Sequence, residues 1–434
     1  MNVPKLRFKE YSRGSTSAWV KAPLKEFIDD YKGGASLRPS DFLPSGKFEV
    51  IPKKAISSGG RLNLDKSSPT YCTETFFSNN QRSVIDRNYL VTTLRDLVPS
   101  GPSIGYIVKI EDDREYLLAQ GVYGIKIKDE LDEGFLIQFS NTIKYRELMQ
   151  TMMVGSTQVH IRNGDFFKLL LDVPYVDEQQ KIASFLSRVD QRISLLTKKY
   201  ELLSQYKKGV MQKIFNQEIR FKDEGGEDFP EWRSHKFNEI YDFYPTNSLS
   251  REMLNYEAGD VFNIHYGDIH TKFKTRFELK NEVVPFVNEG ALGVKVKPDS
   301  YCRPGDLVIA DASEDYKDVG KAIEVIDVGN KKITAGLHTY IARDKNLQMA
   351  LGFGGCLMQS APVRRQIKFL ATGTSVLSIS KTNLSKIDLL IPSKSEQTAI
   401  SDYSAKFDKK IEIIKSQLEL TKKYKQGLLQ QMFI

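Results

Sequence analysis

Cysteine is scarce in this chain. Its three residues, Cys72, Cys302 and Cys356, are odd in number and far apart, which excludes a disulfide framework or a CxxC metal pattern and fits a reducing cytoplasm. Histidine is scarce too: among His160, His235, His265, His270 and His338 only His265 and His270 lie close together. Their spacing suits neither one helix face nor one strand face, and a zinc site needs three or four ligands, so surface or hydrogen-bonded roles are expected and no metal site. No apolar run reaches membrane-spanning length, and MNVPKLRFKEY lacks the apolar core of a signal peptide, so a cytoplasmic location is expected.

Signatures of catalysis are missing as well. Gly320-Lys321 is followed by Ala322, with no glycine at the upstream position that a phosphate-cradling loop requires. Gly352-Phe353-Gly354-Gly355 lies within or beside a helix-like stretch and reads as packing or turn chemistry. No Gly-x-Ser-x-Gly elbow occurs, and no Asn-Pro-Pro-Tyr run that would act on adenine amino groups. Pro298-Asp299 with Asp315-Tyr316-Lys317 loosely matches a nuclease pattern in which carboxylates and a lysine hold Mg²⁺ and water. The same residues fit a charged loop. The expectation is a chain that catalyses nothing by itself.

What is present is a duplication. Residues 174–215 run beside 392–433 at a fixed offset of 218 without a gap, and 13 of the 42 pairs are identical, among them Glu178/Glu396, Gln179/Gln397, Asp190/Asp408, Tyr206/Tyr424, Lys207/Lys425 and Phe215/Phe433. In the first copy apolar residues at Ile182, Leu186, Val189, Ile193, Leu196, Tyr200, Leu203, Val210 and Ile214 alternate by three and four, missing at Lys207. The second copy keeps the seam with polar residues at Ser404, Thr421 and Lys425. A repeat near 3.5 residues marks a coiled coil, and about 33 to 36 residues of helix span roughly 50 Å.

The repeat extends upstream. Gly155-Ser156-Thr157 aligns with Gly373-Thr374-Ser375, and the helix-like QFSNTIKYRELMQTMM with CLMQSAPVRRQIKFLA. At an offset of 213, Leu6-Arg7-Phe8-Lys9 meets Ile219-Arg220-Phe221-Lys222, and Trp19 meets Trp232, the only two tryptophans. RNYLVTTL, SIGYIVKI, YGIKIK, GDLVIA, KAIEVID and HTYIA read as strands. The middles of the two halves align far worse than their edges. A net charge of +8 and a pI near 9.0 suit a polyanionic partner.

Two variable β-rich regions, each followed by a repeated long helix, resemble the specificity subunit of type I restriction-modification enzymes. The residues that carry the likeness are YKKGVMQKIF and YKQGLLQQMF, the Gly-Ser/Thr-Ser/Thr triplets, His265-Tyr266-Gly267-Asp268-Ile269, and Arg303-Pro304-Gly305-Asp306-Leu307-Val308-Ile309 followed by Val319-Gly320-Lys321. The first half keeps only the general shape of the last two. The resemblance implies an α+β fold: two β-rich target recognition domains separated by two long antiparallel coiled-coil helices, in an internal pseudo-twofold repeat. The expected divisions are residues 1–175 and 230–393 for the recognition domains, 176–217 and 394–434 for the helices, and 218–229 for a linker. It implies a split double-stranded DNA target, with two methyltransferase subunits and two restriction/translocase subunits as partners. S-adenosylmethionine, ATP and Mg would sit on those partners and no cofactor in this chain.

Base edges are read by Asn, Gln, Arg and short hydroxyls, and phosphates by Lys and Arg. On those grounds the DNA-contact candidates in the first half are Arg61, Asn79, Asn80, Gln81, Arg82, Ser156, Thr157 and Gln158. In the second they are Asn247, His265, Tyr266, His270, Lys272, Lys274, Ser313, Tyr316, Lys317, Thr374 and Ser375. Leu202, Tyr206, Phe215, Leu420, Tyr424 and Phe433 lie off the seam and are candidates for gripping partner subunits; packing against the chain's own domains is the competing reading. A DNA-binding or scaffolding protein without an associated methyltransferase or nuclease remains the alternative.

Overall fold

Each long helix is entered from a strand that a proline ends. Leu170–Val173 precedes Pro174, and Asp388–Ile391 precedes Pro392. Proline cannot donate to a sheet ladder, yet it tolerates the first turn of a helix. The helices that follow are Val176–Phe215, of 40 residues, and Lys394–Met432, of 39, each about 60 Å at the standard rise. The computed structural model describes residues 3–12, 18–64, 70–291 and 297–434. They form two units, Met1–Lys198 with Lys415–Ile434, and Lys199–Ile414.

In the first unit Val20–Pro23 pairs antiparallel with Leu170–Val173, Val20 facing Val173. An antiparallel sheet runs in the order Ile28–Gly33, Val122–Ile127, Leu90–Thr93, Ile107–Lys109. A second, mixed sheet holds Phe42–Leu43, Tyr71–Cys72, Phe48–Ile51, Tyr116–Leu118 and Val84–Ile85, with Tyr116–Leu118 parallel to Phe48–Ile51. Ile182, Leu186 and Val189 of one long helix and Leu428, Met432 and Phe433 of the other share a buried core with Trp19 and Phe135.

The second unit repeats the core of this plan, with one strand moved from the mixed sheet to the edge of the antiparallel one. Arg233–Lys236 pairs with Asp388–Ile391, and Arg233 faces Ile391, the partners expected from the offsets of 213 and 218. The antiparallel order is Tyr241–Tyr244, Thr339–Asp344, Leu307–Ala310, Ala322–Asp327, with Arg276–Glu278 added parallel at the edge. Thr339 faces Ala310 as Val122 faces Thr93. The mixed sheet recurs as Leu254–Asn255, Phe286–Val287, Val261–Ile264 and Lys332–Ala335. Regions whose sequences barely align thus share one topology, because a strand needs only alternating burial while its exposed residues are free to change.

Two segments that read as single helices are each broken in two. Residues 138–153 contain the end of Glu133–Phe139 and then Ile143–Met152; residues 356–371 contain most of Phe353–Gln359 and then Ala361–Leu370. Thr142 caps the first break by accepting from the Tyr145 amide at 3.3 Å, and Pro362 in the opening turn of the second helix forbids continuation.

The strictest repeats anchor the frame. Glu178, buried, accepts from Arg7 Nε and Nη2 at 2.7 and 2.6 Å. Glu396, also buried, accepts from Arg220 at 3.2 and 2.8 Å and from Trp232 Nε1 at 3.1 Å. Gln179 takes the Asp132 amide and donates to the carbonyls of Glu130 and Pro174; Gln397 takes the Ala350 amide and donates to those of Gln348 and Pro392. The two lysines that interrupt the seam are explained too. Lys425 meets Asp190 at 2.6 Å in the first unit, and Lys207 meets Asp408 at 2.5 Å in the second. These four residues are two repeat-related pairs with the roles exchanged, and the pairing is antiparallel in each unit.

Candidate nucleic-acid interface

The polar residues of the second unit gather where Val261–Ile264 ends and the short helix Tyr266–Thr271 begins. His265 Nδ1 accepts from the Gly267 amide at 3.1 Å and faces Arg251 Nη2 at 3.2 Å, which assigns the ring proton to Nε2. Burial, then the Arg251 charge, push His265 below its ordinary pKa. Asp268 is 1% exposed and meets Arg251 at 2.7 Å and Lys272 at 3.0 Å. Burial alone would raise its carboxyl, but hydrogen bonds from Arg251 and Lys272 more than offset that and hold it below the usual range.

Around Tyr266 stand three of the chain's five histidines, with ring centroids at 4.7 Å for His265, 6.1 Å for His270 and 5.4 Å for His338. His270 Nε2 lies 2.9 Å from the Ala312 carbonyl, so it donates there. Ala312–Ser313 pairs in turn with Leu377–Ser378, the base of a hairpin whose tip exposes Thr374 and Ser375. Gly373, at φ 130°, turns that tip; a Cβ there would lie 2.0 Å from the Val376 carbonyl oxygen. Asn247 donates to Asn263 Oδ1 at 2.8 Å and to Thr334 Oγ1 at 3.1 Å. Tyr266 and His270 are therefore joined through Ala312–Ser313 to the hairpin that carries Thr374 and Ser375, while Asn247 is tied to Asn263 on the strand that leads into Tyr266.

Other candidates go elsewhere. Lys274 pairs with Glu412 of the long helix at 2.5 Å. The Tyr316 hydroxyl donates to the Lys368 carbonyl at 3.3 Å, and the Lys317 amide to Asp315. Asp299 meets Arg303 at 3.0 Å, so the loosely nuclease-like residues each have a local partner. The Gly352–Gly355 run presents its amides not to a phosphate but to Glu324, which accepts from both Gly352 and Gly355. His265 and Ser313, expected as DNA contacts, are 8% and 6% exposed. They are largely buried, and His265 Nδ1 and Ser313 Oγ accept backbone amides in the turns at His265–Gly267 and Ser313–Asp315.

In the first unit the candidates hang on three separate elements. Arg61, exposed, faces Glu111 at 3.2 Å. Asn79 to Arg82 follow the helix Glu74–Asn79; Asn80 and Gln81 donate their amides to the Phe76 and Phe77 carbonyls at 2.8 and 3.1 Å, while Arg82 is exposed with no ion pair among the described residues. Ser156, Thr157 and Gln158 are exposed at a hairpin tip turned by Gly155 (φ 113°), closed by mutual backbone bonds of Val154 and His160.

Residues 16–205 and 251–422 match the type I restriction modification DNA specificity domain. The chain belongs to that family. Among curated relatives, the specificity subunit of the type I restriction enzyme MjaVIII of Methanocaldococcus jannaschii is 23% identical over 72% of each chain. The putative MjaX specificity subunit of the same organism is 21% identical over 76% of this chain and 75% of its own. Of solved structures, the S subunit of the M. genitalium type I system covers 100% of this chain and 99% of its own at TM-score 0.58 and 17% identity. A chain solved in work on complex assembly and conformational transition of the type I system gives TM-score 0.52 at 17% identity, covering 95% and 96%. Both structural likenesses bear on the fold.

Several apolar side chains of the long helices of this type I specificity subunit stay exposed. In the second unit Leu202, Tyr206 and Ile413 are 54%, 57% and 48% exposed; in the first, Leu195, Leu420 and Tyr424 are 69%, 66% and 56% exposed. Phe215 and Phe433, expected beside them as partner contacts, are instead buried at 5% and 6%. Phe215 packs on Trp232 and Phe353, and Phe433 on Trp19 and Phe135. For these two, core packing holds, since each helix seats its last aromatic in its own unit.

Proposed function

We propose that this specificity subunit recognises a bipartite double-stranded DNA sequence, one half-site per recognition domain, with the gap set by the long helices. The observation that carries this is the repetition of the core strand order and register in two regions whose sequences diverge: one frame used twice, with different side chains offered. The recognition domains are assigned to residues 1–175 and 230–393, with 218–229 as linker and 176–217 and 394–434 as spacer helices. Among the residues still open to solvent, Arg61, Asn79, Gln81, Arg82, Ser156, Thr157, Gln158, Asn247, Tyr266, His270, Lys272, Tyr316, Lys317, Thr374 and Ser375 are the proposed DNA contacts. Leu202, Tyr206, Leu420 and Tyr424 are the proposed grips for two methyltransferase subunits, and two restriction/translocase subunits complete the assembly in the cytoplasm. S-adenosylmethionine, ATP and Mg belong to those partners; this chain supplies address, not chemistry.

Methylome sequencing of cells with and without the gene tests the reading. A split adenine-methylated motif should appear only with the gene. Adding matched whole turns to both helices should lengthen the accepted gap while leaving both half-sites unchanged. An unbroken motif, or a gap indifferent to helix length, would refute the proposal.

A further inference from the structure

The two units close the same turn with different chemistry. Before Val122–Ile127 stands Gly121 at φ 86°; before Thr339–Asp344, at the equivalent place, stands His338 at φ 56°. The turn is the same in backbone terms. The Leu94 amide donates to the Gly121 carbonyl at 3.2 Å, and the Asp311 amide to the His338 carbonyl at 3.1 Å. The Ile161 amide donates to the Leu94 carbonyl at 2.9 Å, and the Ile379 amide to that of Asp311 at 2.8 Å. So Gly121 and Leu94 of the first unit correspond to His338 and Asp311 of the second.

A left-handed backbone is free for glycine and costs any other residue about 1 kcal/mol or more. Strain of this kind persists where a side chain is needed. The side chains that replace glycine and leucine meet each other: His338 Nδ1 lies 3.2 Å from Asp311 Oδ1. That contact orients the ring, and Nε2 has no partner among the described residues. His338 also packs edge-on to Tyr266 at 5.4 Å. It borders an open cleft of about 520 Å³ shared with Asn247, Asp311 and Tyr340. Burial, then Asp311, push the Tyr340 phenol up to about 12, and its proton goes to the Ile379 carbonyl at 3.3 Å. Lys381 lies over the Tyr340 ring at 5.2 Å, a cation at the rim where a phosphate would pass.

We infer that His338, oriented by Asp311, is a base-reading residue of the second recognition domain, and that the adjoining cleft receives the edge of one base pair in the major groove. This rests on the proposed bipartite DNA recognition. An oriented imidazole offers one polar atom to a base edge, and beside it the Asn247 amide oxygen and the Tyr340 phenol oxygen, whose own hydrogens go to Asn263, Thr334 and Ile379, can accept. The first domain, with Gly121 and Leu94 at these places, has no such reader, so the two half-sites are distinguished here by design of one turn.

The test is selection of sequences from a pool of random DNA duplexes by the full-length chain and by His338→Gly, with Asp311→Asn as a second variant. His338→Gly copies the first domain's own residue and relieves the strained backbone, so its melting temperature should not fall. It should nevertheless lose about tenfold preference at one base pair of one half-site and keep the other half-site intact. Asp311→Asn should weaken preference at the same base pair. If His338→Gly returns the full wild-type motif, or weakens all sequences evenly, the inference is overturned. If the wild-type chain itself selects no split motif, the proposed function fails instead, and the inference with it.

Discussion

Trp19 and Trp232 are repeat partners in similar aromatic surroundings, yet their indole N–H groups end differently. Trp232 Nε1 donates to the buried Glu396 carboxylate at 3.1 Å, whereas Trp19 Nε1 is buried with no partner among the described residues. Replacing each by Phe trims a similar volume from a similar core, so the packing costs nearly cancel in the comparison. What differs is polar. At Trp232 a hydrogen bond to a charged acceptor is lost, worth about 1.5–3 kcal/mol, while at Trp19 an unsatisfied donor costing about 1–3 kcal/mol disappears. Trp232→Phe should therefore destabilise its unit by about 2.5–6 kcal/mol more than Trp19→Phe destabilises the other. For units of this size that is a melting difference of roughly 5–25 °C. Calorimetry, with hydrogen exchange to say which unit opens, reads it directly. Equal losses within about 0.5 kcal/mol would show that the Glu396 contact contributes nothing and that the reasoning is wrong.

The hairpin tips give a second prediction. Gly155→Ala puts a Cβ 2.1 Å from the Gln158 carbonyl oxygen on a left-handed backbone, so it should cost about 1–3 kcal/mol and speed amide exchange across 154–160, whereas Gly164→Ala, in a helix with nothing near its Cβ, should be neutral or stabilising by up to about 1 kcal/mol. Acid gives the third. Asp268 and His265 both titrate below their ordinary values, so the unfolded chain binds protons first as pH falls. Their stabilising contribution is complete above about pH 6.5–7, declines first as His265 is forced to charge, and declines again below the ordinary carboxylate range as Asp268 protonates. Asp268→Asn should flatten the lower step in a denaturation series against pH; an unchanged step would refute the assignment.

The long helices, the duplicated edges and the strands were readable because their signals are local or repetitive. The seam at Ile182, Leu186 and Val189 needs only the helical period, and VTT, IVK and VIA runs need only β-propensity. Lys207 and Lys425 read as flaws in that seam because their partners Asp408 and Asp190 stand on the opposite helix. Glu178 and Glu396 were visible as identities, but not as anchors for Arg7 and Arg220. Phe215 and Phe433 were left between partner grip and core packing because helical spacing says which side a residue is on, not what covers it. His338 was missed altogether: its strand was legible, its backbone conformation and its neighbours Asp311 and Tyr266 were not.

By sequence alone this protein is a doubled chain of net positive charge with two long helices and two β-rich regions, since repetition and periodicity are carried along one strand of residues. Only the tertiary structure decided that the poorly matching middles share one topology, and which polar side chains became frame and which stayed open. Strand pairing brings Asp311 to His338 and hydrogen bonding brings Glu396 to Arg220 across long stretches of chain. Such meetings depend on sheet register and burial together, and neither is written in the neighbours of any one residue.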